Sequence, residues 1–144
     1  RMARISKEMI SIIINGERDQ EKAQFLQIRR EMPTALESGK YPIRVDITWE
    51  YNGDHSDMPT EEVAEQMNSL EEALIPALEK NNLALLAYQV TGEGRRLWCF
   101  YTRNIGAFQE TLNEALEELP LFPITFYAEE DREADAFREV ESLL

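Results

Sequence analysis

Cysteine and histidine each occur once in this chain of 144 residues, as Cys99 and His55. An intramolecular disulfide is therefore excluded, and a zinc centre of the usual Cys/His kind has too few ligands, so any metal site would be built almost wholly from carboxylates. Positive charge is scarce as well: 15 Lys and Arg stand against 28 Asp and Glu, a formal charge of −13. That balance opposes non-specific binding to nucleic acid, which needs cations along the phosphates. Long apolar runs are missing. None approaches the ~20 residues of a membrane span, and the start Arg1-Met2-Ala3-Arg4 leads into no apolar signal core. No internal repeat or low-complexity segment is present. These absences lead us to expect a cytoplasmic protein with no cofactor, no membrane partner and no nucleic-acid partner. Arg1 before Met2 reads as an expression remnant or an internal cut, and Leu143-Leu144 ends the sequence on apolar residues as if more protein followed.

What is there is enough for one core, since a chain of this length ordinarily makes a single domain and 43% of its residues are hydrophobic. Residues 43 to 51 alternate strictly, with Ile43, Val45, Ile47, Trp49 and Tyr51 on one face and Arg44, Asp46, Thr48 and Glu50 on the other. This is a strand with one wet face. After the polar loop 52 to 57, Thr60 can cap a helix whose first turn carries Glu61 and Glu62. Val63, Met67, Leu70, Leu74 and Leu78 form its apolar stripe, and Pro76 inside it predicts a kink or break near residue 75. Asn81-Asn82 ends that helix. A buried strand over 83 to 90, a glycine hairpin at 91 to 94 and a return strand over 95 to 102 follow. A second helix is predicted over 105 to 119, stopped by Pro120 and Pro123, then a short strand over 124 to 128. The acids Glu129-Glu130-Asp131 form a turn into a tail helix with apolar Ala134, Phe137, Val140 and Leu144. Upstream, residues 9 to 14, the turn signal Asn15-Gly16 and residues 25 to 28 read as a hairpin, with a short helix over 31 to 38.

From residue 43 the order is strand, helix, strand, strand, helix, strand. The expected class is therefore α+β: a ferredoxin-like (split βαβ) four-stranded antiparallel sheet with two helices on one face, plus an N-terminal β-hairpin and a C-terminal helix. One domain spans 1–144, with the extension at 1–40, the core at 41–128 and the tail at 129–144. Tyr41-Pro42-Ile43-Arg44-Val45, Met58-Pro59-Thr60-Glu61-Glu62, Leu70-Glu71-Glu72-Ala73-Leu74 and Trp98-Cys99-Phe100-Tyr101-Thr102 after a glycine hairpin resemble the bacterial domain-of-unknown-function family 695. The resemblance runs from about residue 9 to residue 128. It implies a bacterial cytosolic origin and supplies no catalytic residue. Some members are fused to a domain similar to the protein inhibitor of ribonuclease E, so a regulatory role is an analogy of fold and charge.

His55, between Asp54 and Ser56, reads as a solvated loop residue, and Ser56 with Asp57 does not make it a triad. Asp54, Asp57, Glu61 and Glu62 lack the alternating spacing of a calcium loop, and helix capping already accounts for the two glutamates. Cys99 lies among aromatics and reads as a small hydrophobe. Trp98, Phe100 and Tyr101, flanked by Arg95, Arg96 and Arg103, raise an RNA-stacking idea that the net charge opposes. Gly92 and Gly94 punctuate a hairpin and open no phosphate loop.

The remaining candidate is a surface. Trp49, Tyr51, Trp98, Phe100, Tyr101 and Tyr127 are large aromatics on strands, and alternation forbids them all one face, so some are expected to form a docking patch on an open sheet face. The competing reading is that the hairpin and tail helix complete the core. We expect a non-catalytic protein-binding or regulatory module, whose partner is another protein, a neighbouring domain or a second copy in a homodimer. A basic protein such as a nuclease fits the charge. Two alternatives stand beside it: a small hydrolase using Asp46 or Glu50 with Asp54 or Glu129 around a metal, and a self-associating structural domain.

Overall fold

The computed structural model describes residues 5–14, 23–53 and 57–144. Along the chain lie β1 (Met9–Ile14), β2 (Gln24–Arg29), α1 (Met32–Glu37), β3 (Ile43–Glu50), α2 (Glu61–Glu79), β4 (Ala84–Gly92), β5 (Arg95–Thr102), α3 (Ile105–Glu117), β6 (Ile124–Glu130) and α4 (Asp135–Glu141). The strands form one six-stranded sheet in the order β1-β2-β4-β5-β3-β6, and every neighbouring pair is antiparallel. The sheet is thus two strands wider than the expected four, because the N-terminal hairpin does not stand apart: β2 pairs with β4 and carries β1 to the edge.

Helices cover both faces, so among the described residues there is no open face for a docking patch, and the competing reading holds in which the hairpin and the tail helix complete the core. The larger α2 and α3 bury Met67, Leu70, Leu74, Leu78, Phe108 and Leu112 against Val45, Ile47, Trp49, Trp98 and Phe100. On the opposite face Met32 and Ala35 of α1 and Phe137 of α4 pack over Leu85, Ala87, Cys99 and Tyr101. The reason lies in β4 and β5. Ala84 to Tyr88 in β4 and Leu97 to Tyr101 in β5 are apolar without interruption, so neither stretch can leave a face in water. The alternation in β3, by contrast, describes one strand only.

Local chemistry sets the element ends. Thr60 accepts a hydrogen bond from the Val63 amide at 3.3 Å, and Asn104 accepts one from Ala107 at 2.9 Å, each satisfying a free helix amide. The two-residue turn between β4 and β5 puts Glu93 at φ 54° and Gly94 at φ 79°, the doubly left-handed geometry that suits hairpin twist. The break expected at Pro76 is absent: α2 runs through it for three more residues. Proline at 76 leaves the Glu72 carbonyl without its intrahelical donor, and both residues are exposed, so water can serve that carbonyl. Glu129 and Glu130, expected in a turn, extend β6 instead.

A bulge separates Leu86 from Tyr88 in β4, and the β2 ladder stops at Ile28. Arg29 and Glu79 take over there. The Arg29 Nη1 lies 2.8 Å from Glu79 Oε2, with the two side chains 3% and 6% exposed. Nη1 also donates to the Leu86 carbonyl at 3.0 Å, while Glu79 Oε2 accepts from the Leu86 amide at 2.9 Å. One buried ion pair thereby satisfies both main-chain groups of Leu86, which lie beyond the end of the β2 ladder.

Candidate functional site

Of the six aromatics expected on a docking patch, four are inside the protein. Trp49 stacks at a tilt on Phe122 with centroids 4.8 Å apart, and Phe100 meets Phe108 edge-on at 5.7 Å. Trp98 donates its indole N–H to Glu71 Oε1 at 3.2 Å, and Tyr101 lies beneath α4. Tyr51 is half-buried, its hydroxyl donating to the Asp57 carbonyl at 2.8 Å. Burial removes the four rings from any partner's reach. Tyr127 alone is on the surface, 55% exposed. His55, Asp54 and Ser56 lie outside the described residues.

Tyr127 opens onto a polar cluster spanning β3, β5 and β6. Register sets Asp46 opposite Tyr127 and Arg44 opposite Glu129. The Arg44 guanidinium sits 3.0 Å from Glu129 Oε1, 3.4 Å from Asp46 Oδ2 and 3.9 Å from Asp131 Oδ2, and 5.8 Å from the centre of the Tyr127 ring. Burial works against its charge, but Asp46 and Glu129 outweigh this and raise its pKa. For Asp46 burial dominates and lifts the carboxyl above its ordinary range, although Arg44 pulls the other way. Burial first, and then the Asp46 charge, push the Cys99 thiol up, so it is a poor thiolate nucleophile. Tyr127 donates to Glu129 Oε2 at 2.6 Å, which raises the phenol.

The cluster ends in a helix anchor. Tyr101 donates to Asp131 Oδ2 at 2.7 Å and accepts from the Phe137 amide at 3.2 Å, while the Asp135 and Ala136 amides donate to Asp131 at 2.8 and 3.2 Å. Burial would raise the Asp131 carboxyl, but these hydrogen bonds and Arg44 prevail and hold it below the ordinary carboxylate range. Asp46 and Glu129, two acids considered for metal chemistry, do converge, but on an arginine. Among the described residues no three Cys, His, Asp or Glu side chains gather as a metal-binding group.

β6 is an edge strand, and nearly all of it is exposed. Asp131 donates its amide to the Pro42 carbonyl at 2.8 Å, so alternation points the main-chain groups of Tyr127 and Glu129 at β3. Those of Phe126, Ala128 and Glu130 then face outward. Phe126, 47% exposed, lies on the face opposite Tyr127. The sequence reading passed over it, although its place beside Tyr127 in an alternating strand was the available signal. Ile13 and Phe25, exposed on the hairpin, were also missed.

A family model described as a family of unknown function, DUF695, matches residues 17–140. The chain belongs to this family. No curated protein and no solved structure matches the chain. Among the described residues no helix is long and apolar enough to cross a membrane.

Proposed function

We propose that this DUF695 domain is a non-catalytic protein-binding module of the bacterial cytoplasm, and that β6 receives an extended basic segment of its partner as an added strand. The observation that carries the reading is the free edge at Phe126, Ala128 and Glu130, exposed along both faces and ending in Glu129-Glu130. Main-chain hydrogen bonds supply affinity in this mode, and side chains on alternate faces supply selectivity. The −13 charge favours cationic partners and speeds their encounter. We further propose a ferredoxin-like core from β3 to β6; the order β4-β5-β3-β6 and the placement of α2 and α3 on one face support it.

The test uses a synthetic peptide of alternating lysine and valine, titrated to about a millimolar while backbone amide shifts are followed. Saturable shifts confined to residues 124–130, abolished in Ala128→Pro, are expected, because the Ala128 amide faces away from β3 and proline there leaves that ladder intact. Shifts centred elsewhere, or unchanged in Ala128→Pro, would refute the reading.

A further inference from the structure

We infer that β1 docks a second copy of this chain, the two β1 strands pairing antiparallel about a two-fold axis through Ser11 to join two sheets into one. The inference is independent of the β6 reading. The Arg30 amide donates to the Glu8 carbonyl at 3.0 Å, and the register sets Ile10 opposite Ile28 and Ile12 opposite Leu26. Even-numbered residues of β1 therefore direct their main chain at β2, and Met9, Ser11 and Ile13 direct theirs outward. Nothing in the strand protects that edge, since Met9-Ile10-Ser11-Ile12-Ile13-Ile14 contains no charge and no proline.

The order of side chains selects the occupant. Met-Ile-Ser-Ile-Ile is symmetric in chemical character about Ser11, so pairing on that axis sets Met9 against Ile13 of the copy, Ile10 against Ile12, and Ser11 against Ser11. Apolar meets apolar on both faces, and hydroxyl meets hydroxyl at the centre. In a chain of net charge −13, an uncharged strand is also where two identical copies approach with least repulsion, and a cationic partner finds no carboxylate on it. Ile13, 59% exposed, and the neighbouring Phe25 border an open, mostly apolar groove of about 860 Å³ that Met58 and Pro59 also line. A second sheet continuing past β1 would shield both side chains from water.

Light scattering on the whole chain at tens of micromolar should give twice the 16.7 kDa of one copy. Ser11→Lys puts two ammonium groups on the axis and should raise the dissociation constant at least about tenfold while leaving peptide binding at β6 unchanged. Residues in such a hydrogen-bonded pair lie about 5.5 Å apart between Cα atoms, within reach of a short bis-maleimide, so Ser11→Cys should cross-link to a covalent dimer faster than Ala128→Cys on the opposite edge. A single-copy mass at about 100 micromolar, undiminished dimerisation of Ser11→Lys, or equal cross-linking at the two edges would overturn the inference.

Discussion

β1 and β6 both leave alternate main-chain groups at the rim of one sheet without a partner among the described residues, but β1 carries no charged side chain whereas β6 ends in Glu129 and Glu130. Their anchoring differs too. β6 is held to β3 by seven residue pairs, with the Arg44 cluster beside them and Asp131 continuing straight into the cap of α4. β1 packs Met9, Ile10, Ile12 and Ile14 on the core clusters but joins the sheet only through β2, whose ladder with β4 has four pairs and stops at the bulge. An apolar edge thus depends on one buried ion pair behind it, and an acidic edge depends on a distributed polar network. The first should fail all at once, and the second by degrees.

The sharpest way to break the comparison is Glu79→Ala. It leaves Arg29 buried without its carboxylate and the Leu86 amide without an acceptor, a loss of about 3–5 kcal/mol for a broken buried pair. Urea unfolding measures the total. Hydrogen exchange should show the amides of residues 26–28 opening before those of Tyr127 and Glu129, the β6 amides that face β3. A loss below about 1 kcal/mol, or equal acceleration at both edges, would mean that the ion pair does not secure β1.

Much of this architecture was legible in the residues, and what was not has a physical cause. Strict alternation over β3, the stripe from Val63 to Leu78 and the hairpin glycine at 94 are local patterns, and each element formed where its pattern lay. Pairing between distant segments leaves no such local mark. Nothing in Phe25-Leu26-Gln27-Ile28 says that it will lie beside β4, nor in Arg29 and Glu79, 50 positions apart, that they will meet at a bulge. Cover over the second sheet face could be inferred from β5, where Leu97, Cys99 and Tyr101 are as apolar as Trp98 and Phe100. The same fact explains most of the aromatic patch: Trp98, Phe100 and Tyr101 lie on a central strand covered on both faces and go inward, whereas Tyr127 lies on the edge strand, a placement that its apolar neighbours Phe126 and Ala128 do not reveal.

At the β6 end, Tyr101→Phe removes one hydroxyl that donates to Asp131 and accepts from Phe137. Leaving those buried groups short of partners should cost about 1–3 kcal/mol, with faster exchange confined to α4 and β1 unaffected. Acid should probe the same anchor. The depressed Asp131 carboxyl contributes stability that is present above the unfolded value of about 3.9 and lost as pH falls through its lower folded value. Asp46, shifted upward, acts in the opposite sense, opposing folding at neutral pH and ceasing to do so as it protonates at a higher pH. Asp131→Asn should therefore differ from the parent most near neutrality and least at the most acidic pH where both remain folded. A difference that grows as pH falls would contradict this assignment.

Added salt is the gentlest discriminator, since it leaves every residue in place. At β6 the attraction for a lysine-rich strand comes from Glu129 and Glu130, paired there with Arg44 and Arg132, and from the net charge of −13, and it is exposed and screened within about 8 Å at physiological ionic strength. Raising sodium chloride should weaken that binding severalfold, roughly 1 kcal/mol. At β1 the paired surfaces carry no charge, while the copies that bear them each carry −13, so screening can only relieve repulsion between them. Dimerisation should hold constant or tighten as peptide binding fades. Parallel weakening of both would show that one electrostatic surface serves both edges, and the distinction between them would then rest on anchoring alone.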